Sequence, residues 1–319
     1  MAQIVVTHWV HPEVLDLLAQ AGTVESNPAT LTLPRAEIIR RTSNAEALLA
    51  FMPDCVDEEF LQACPNLKIV AGAFKGGDNI DAATCARRKI RFTVVPDLLT
   101  APTAELAITL LLGLARRVLE SDALVRSGQF QGWRPILFGA GLAGKRLGIY
   151  GFGRLGQAIA KRLAGFECEL YYADPQPVSA EHLKSLPPLQ RLDPEKLPAQ
   201  CDALILAAPL TPQSIHYINH ESLLRMPKHA LLVNIGRGSV ADELAVAEAL
   251  TQGRLGGYAA DVFEFEDLSL PERPRTIPSA LLEQTGKTLF TPHLGSAVES
   301  VRKEIALEAA RHIVAELRK

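Results

Sequence analysis

Residues 146–174 read RLGIYGFGRLGQAIAKRLAGFECELYYAD. A short apolar run, Leu147 to Tyr150, leads into Gly151-Phe152-Gly153-Arg154-Leu155-Gly156. Helical spacing continues through Ile159, Leu163 and Phe166. A second apolar run, Glu169 to Ala173, ends at Asp174. Strand, glycine turn, helix, strand and acid thus follow one another within one βαβ length. Few folds accept that order other than a parallel sheet whose helix starts on a tight turn.

Each position has a physical task. Gly151 permits the turn, Gly153 lets the backbone approach a pyrophosphate, and Gly156 lets the helix pack closely on the strand. Unpaired N–H groups at the helix start face the phosphates. Asp174 stands where a carboxylate accepts hydrogen bonds from an adenosine ribose. The spacing therefore predicts a dinucleotide cofactor. A 2′-phosphate beside Asp174 would meet like charge, and at ~4 Å and an effective dielectric of ~20 each such pair costs about 4 kcal/mol. The following Pro175-Gln176-Pro177 offers no cation to offset it, so NAD is expected over NADP.

The chain has 319 residues, room for two domains of ordinary size. Its 48% hydrophobic and 22% charged content predicts a full core rather than disorder. A net charge of −3 gives no reason to expect a nucleic-acid or membrane surface. The apolar stretch Leu106 to Leu114 is too short to span a bilayer. The N-terminus enters a strand-like run, Ile4 to Thr7, without a signal-peptide pattern. The five cysteines have no CxxC spacing and read as reduced thiols of a cytoplasmic protein. No cluster of metal-ligating residues is visible, so no metal is expected.

Upstream of the fingerprint, strand-like runs (Ile4 to Thr7, Ala47 to Met52, Leu67 to Gly72, Ile90 to Val95) alternate with helical ones (Pro12 to Ala19, Val56 to Cys64, Asp81 to Arg88). A further helix start is read at Thr32 to Glu37. One long helix is expected over Ala104 to Ser127, either bridging domains or packing on a second subunit. Downstream, strands are read at Ala203 to Ala208, Ala230 to Asn234, Gly256 to Asp261 and Thr288 to Phe290. Helices are read at Glu221 to Met226, Ala241 to Gln252 and Ser300 to Arg318, the last returning to the first domain. Residues 264–278 read as a loop. The fold class is α/β, two domains, each a parallel sheet flanked by helices. Residues 99–293 form a Rossmann NAD-binding domain, inserted in a flavodoxin-like substrate domain of residues 1–98 and 294–319.

Chemistry-bearing residues follow these strands. Arg237 lies in Asn234-Ile-Gly-Arg-Gly-Ser239, Asp261 and Glu266 in Asp-Val-Phe-Glu-Phe-Glu, and His293 in Thr-Pro-His-Leu-Gly-Ser296. Open parallel sheets bind ligands beyond the carboxyl ends of their strands, so separate segments converge on one crevice edge. Arg237 offers a planar fork for two anionic oxygens. His293 can move a proton near neutral pH, and a hydrogen-bonded carboxylate would fix its tautomer.

The chain resembles the D-2-hydroxyacid dehydrogenase family. The shared pattern is the fingerprint at Gly151–Gly156, then Asn234 with Arg237-Gly238, Asp261-Val-Phe with Glu266, and Pro292-His293. Within the family it closely resembles the phosphite (phosphonate) dehydrogenases, over nearly the whole chain. That likeness runs through Ala50-Phe-Met-Pro-Asp54, Phe74-Lys75-Gly76, Val95 to Thr100, Pro102 to Leu106, Val125 to Gly128, Phe130 to Trp133, Gly257 to Glu264 and Thr291 to Ala297. Phe138 stands where the resembling proteins carry Tyr, and the chain stops at Lys319 where they extend further.

The resemblance implies Arg237, Glu266 and His293 as the catalytic set, and Lys75, Gly76 and Met52, with Arg237 and His293, around the substrate. It implies that Arg154 and Leu155 contact the pyrophosphate and that Thr103, Pro209, Ile235, Gly236, Arg237, Asp261 and His293 hold the rest of NAD. It also implies a homodimer built around the Ala104–Ser127 helix, with Trp133 approaching the neighbouring active site. Many 2-hydroxyacid enzymes carry a small apolar residue in place of Lys75. Phosphite is largely dianionic near neutral pH, and Lys75 with Arg237 supplies two positive charges. Each pair is worth up to about 4 kcal/mol at ~4 Å and dielectric ~20, before desolvation.

The expected reaction is phosphite + NAD⁺ + water to phosphate + NADH, hydride passing from P–H to nicotinamide C4, with neutral His293 as base. One alternative is a glyoxylate or hydroxypyruvate reductase using the same three residues. Another is an NAD-sensing binding protein related to the C-terminal-binding corepressors.

Overall fold

The computed structural model describes residues 2–319. The chain divides into two compact units. One comprises Met1–Leu99, Leu268–Pro271 and Ser296–Lys319, the other Thr100–Asp267 and Glu272–Gly295. No helix among the described residues is long and apolar enough to cross a membrane.

The first unit is a five-stranded parallel sheet of β1 (Ala2–Val6), β2 (Gly22–Ser26), β3 (Ala47–Ala50), β4 (Ile69–Gly72) and β5 (Arg91–Thr93). Its order β2-β1-β3-β4-β5 is the flavodoxin-like arrangement. Alternate residues feed opposite faces. Ile4, Val6, Leu49 and Ile69 pack with Val14, Leu18 and the terminal helix residues Ile305, Ala309 and Ile313. Val5, Leu48 and Val70 pack with Phe60, Leu61 and Ile80. The terminal helix, Glu299–Leu317, therefore does return to the first unit.

The second unit holds seven parallel strands: β6 (Arg146–Tyr150), β7 (Glu169–Ala173), β8 (Leu189–Arg191), β9 (Ala203–Leu206), β10 (Leu231–Asn234), β11 (Gly257–Ala260) and β12 (Thr288–Phe290). Their order is β12-β11-β10-β9-β6-β7-β8. The order reverses between β6 and β9, which makes the C-terminal edge there a ligand crevice. One face is covered by Ala104, Ala107, Leu110 and Leu111 with Ile159 and Leu163, the other by the helix Glu243–Thr251.

Three expectations need correction. β2 and β8 were not anticipated, because both are edge strands with little apolar signal, Val24 and Leu189 being their main apolar residues. The long helix is two, Thr100–Ala115 and Val118–Arg126. Ala140 N–H donates to the Ala115 carbonyl at 2.8 Å, and Arg117 turns left-handed at φ 53°. Such a residue ends a helix. The second piece buries none of its residues. Finally, the segment 264–278 is not loop throughout: Glu264–Glu266 is a 3₁₀ turn and Leu268–Pro271 groups with the first unit.

Candidate active site

The fingerprint folds as its residues require. Gly151 has φ 88°, and a Cβ there would overlap Ala208 at the end of β9. A Cβ on Gly156 would overlap the Gly151 carbonyl oxygen. At Gly153, by contrast, an added Cβ would meet nothing within 4 Å. Open space thus faces the start of the helix Arg154–Leu163, which exposed Arg154 begins and half-buried Leu155 follows. Asp174 closes the turn, its Oδ2 accepting the Phe152 N–H at 2.6 Å and its Oδ1 the Gln176 N–H at 2.8 Å. These residues fit a dinucleotide: a clear approach over Gly153, a helix N-terminus, and a carboxylate fixed beside both. A cation does stand near Asp174. Arg191, at the end of β8, donates to the Asp174 carbonyl at 2.8 Å. The reading of Pro175-Gln176-Pro177 missed it because the side chain arrives from the neighbouring strand.

The loops after β9 and β10 meet the turn. A Cβ on Gly236 would lie 2.5 Å from the Ala208 carbonyl oxygen, which places Ile235 and Gly236 beside the segment leading to Pro209. Arg237 follows, half-buried and extended at φ −137°.

Asp261, after β11, is buried, and burial pushes its carboxyl above the ordinary value. Its oxygens accept from the Thr291 hydroxyl at 2.6 Å, Leu294 N–H at 2.7 Å and Gly295 N–H at 2.8 Å. Gly295 also lies against Thr103, so Thr103, Asp261 and the 291–295 turn form one group. That turn carries His293, whose φ is 55°. His293 Nδ1 lies 2.7 Å from Glu266 Oε2, while Glu266 Oε1 accepts the Phe263 N–H at 2.8 Å. One carboxylate therefore fixes both its own turn and the imidazole.

The support of Glu266 was not foreseen. Glu243 Oε1 accepts the Glu264 N–H and Glu264 Oε1 accepts the Glu243 N–H, each at 2.9 Å. Glu264 Oε2 pairs with His216 Nε2 at 2.8 Å, a hydrogen bond that raises the histidine's pKa. Asp267 Oδ2 accepts the Ser239 N–H at 2.7 Å. The turn bearing Glu266 is thereby fastened to the segment that follows Arg237. The only signal in the sequence was a density of acids around Glu266.

Glu243 makes a pH-dependent prediction. It is wholly buried, and among the described residues its Oε2 finds no hydrogen-bond partner. Burial, reinforced by the Glu264, Asp267 and Glu266 carboxylates, pushes its pKa from 4.5 to about 7. The folded chain holds this proton more tightly than the unfolded chain. Stability therefore falls as pH rises from 4.5 towards about 7 and stays reduced above. Glu243→Gln removes the charge and keeps an oxygen for the Glu264 N–H. Its expected effect at pH 8 is a gain of about 1–3 kcal/mol, seen as a higher Tm, and almost none below pH 5. An equal gain at both pH values would place the cause elsewhere.

In the first unit, Met52 follows β3 and exposed Lys75 with Gly76 follows β4. The Asn79 side-chain amide donates to the Met52 carbonyl at 3.0 Å, tying the two loops together. Sequence reasoning missed a polar group at the same sheet edge. Asp54 Oδ2 accepts the Thr7 hydroxyl at 2.5 Å and the Phe51 N–H at 2.7 Å, and burial pushes its carboxyl up to about 6. Burial, then the Arg302 charge, pushes His8 down to about 4. Arg302 donates to the Ser296 hydroxyl at 3.2 Å and lies over the Phe51 ring at 5.8 Å. Thr7 and Asp54 stand beyond the ends of β1 and β3, the switch point of this sheet.

The profile of the D-isomer specific 2-hydroxyacid dehydrogenase NAD-binding domain matches residues 108–295. The chain is 38% identical over 288 residues to a glyoxylate reductase of Thermococcus litoralis, covering 88% of this chain and 83% of that protein. It is 37% identical over 319 residues to a glyoxylate reductase of Pyrococcus furiosus, covering 98% and 91%. Among solved structures, the TT0316 protein of Thermus thermophilus is 34% identical with a TM-score of 0.89, covering 99% of this chain and 97% of that one. An NADPH-dependent glyoxylate/hydroxypyruvate reductase of Sinorhizobium meliloti, solved with NADP and malonate, is 27% identical with a TM-score of 0.84, covering 98% and 93%.

Proposed function

The chain belongs to the D-isomer specific 2-hydroxyacid dehydrogenase family, and from that premise we propose that it interconverts a small 2-oxoacid of the glyoxylate type with its 2-hydroxyacid. It is an NAD-dependent oxidoreductase. The observation that carries the reading is the 2.7 Å pair of His293 Nδ1 and Glu266 Oε2. Bound NAD supplies a hydride donor or acceptor at its nicotinamide C4. Glu266 holds Nδ1 as the N–H tautomer or the cation, which leaves Nε2 to exchange a proton with the substrate oxygen. Arg237 binds the substrate's anionic oxygens through its planar fork. Asp261 keeps the 291–295 turn, and so the imidazole, in place. The names of the similar glyoxylate reductases support this substrate class.

A second reading, phosphite oxidation, is favoured by Lys75. The exposed cation follows β4, in a loop whose Asn79 donates to the Met52 carbonyl. It would add a second positive charge for a dianion, in line with what the resemblance read from the sequence implies. In that reaction His293 Nε2 takes a proton from the attacking water.

One experiment separates the readings. The protein is given NAD⁺ with phosphite and, separately, NADH with glyoxylate, and NADH absorbance is followed. Turnover in the second alone supports the 2-oxoacid reading, and in the first alone the phosphite reading. Under the latter, Lys75→Ala raises KM for phosphite by about tenfold or more, the loss of one charge contact. Turnover in neither would favour an NAD-sensing binding protein. The exposed apolar residues Val118, Leu119, Val125, Phe130 and Trp133 suit the homodimer that the resemblance implies.

A further inference from the structure

β7 and β8 run parallel with Tyr172 opposite Arg191, so Arg191 reaches the C-terminal edge next to Asp174. β8 is the edge strand of its sheet. An exposed arginine on an edge strand ordinarily blocks pairing with another chain. This one turns back on the nucleotide loop instead. Its Nη2 donates to the Asp174 carbonyl at 2.8 Å and to the Pro175 carbonyl at 3.4 Å. The Asp174 carboxylate, meanwhile, is held by Phe152 and Gln176 N–H groups. A fixed anion and a fixed guanidinium therefore share one residue's surroundings, where the adenosine ribose belongs.

We propose that Arg191 is a second cofactor-selecting residue, one wall of a 2′-phosphate site that the Asp174 carboxylate keeps shut. The carbonyl contacts orient the guanidinium without neutralising it. A guanidinium has five N–H donors in a planar fork, so donors beyond those on Nη2 are suited to phosphate oxygens. Asp174 accepts ribose hydroxyls and repels a 2′-phosphate; Arg191 attracts that phosphate. The preference for NAD then rests on one carboxylate, and no new cation is needed to admit NADP.

The test is direct binding of NADH and NADPH, followed by nucleotide fluorescence with no substrate present. Asp174→Ser should lower the ratio Kd(NADPH)/Kd(NADH) by about a hundredfold. Adding Arg191→Ala should return about tenfold of that change, whereas adding Arg191→Lys should return less, since a point charge is kept. Equal ratios for Asp174→Ser and Asp174→Ser/Arg191→Ala would overturn the proposal and leave Arg191 as an edge-strand charge. Asp174 also braces the glycine turn, so a second arm leaves it intact. In the otherwise native chain, Arg191→Glu should weaken adenosine 2′,5′-bisphosphate relative to 5′-AMP by about tenfold. An unchanged ratio there overturns the proposal equally. Both arms read the adenosine end alone and are independent of which anion the enzyme turns over.

Discussion

His293→Ala is expected to lower kcat by about 10²–10⁴-fold, the range for loss of a positioned acid or base, with NAD affinity changed only a few-fold. The expectation rests on how the imidazole is held. Nδ1 is committed to Glu266, so Nε2 is the atom that can exchange a proton. Alanine removes that atom and leaves the Asp261 clamp on the 291–295 backbone intact. Glu266→Gln should cost less, about 10–100-fold, because an amide still receives the Phe263 N–H but orients the imidazole less firmly. Steady-state rates and direct NAD titration decide the matter. A loss of NAD affinity as large as the loss of rate would take His293 out of the chemistry.

Gly238→Ala is expected to abolish measurable turnover and lower stability by about 1–3 kcal/mol, the usual cost of overpacking. A Cβ on Gly238 would overlap the Phe263 carbonyl group and the Glu264 amide nitrogen, both backbone. No rotamer relieves such a contact, so one segment must move. The two segments carry Arg237 and Glu266, which the proposed reaction needs in a geometry that tolerates little displacement. Thermal melting and kcat/KM test this together. A variant with native Tm and native rate would show that the segments separate freely.

The central strands and the glycine turn were legible because buried parallel strands are continuous apolar runs and a pyrophosphate turn needs glycine at fixed spacing. The edge strands β2 and β8 carried no such run. The break at Arg117 depends on a segment returning at Ala140, which no local pattern encodes. Arg237, Asp261 and His293 stood out as candidates because each follows a strand of the second sheet, whereas Glu266 took its candidate role from the family resemblance. Glu243, His216, Arg191 and Arg302 could not, since their tasks come from partners far away in sequence; Glu264 and His216 are 48 positions apart. The anion itself was the least legible feature. The cofactor-binding pattern is common to the family, whereas the phosphite reading came from a resemblance over many segments, with Lys75 weighing most in the choice of anion.

The backbone of His293 has a further consequence. A φ of 55° costs a residue with a Cβ about 1–2 kcal/mol, and histidine bears that cost only because Asp261 binds the turn on either side. Under the proposed reaction, position 293 is thus a compromise between folding and turnover. Glycine or asparagine would relax the backbone there and lose the reaction.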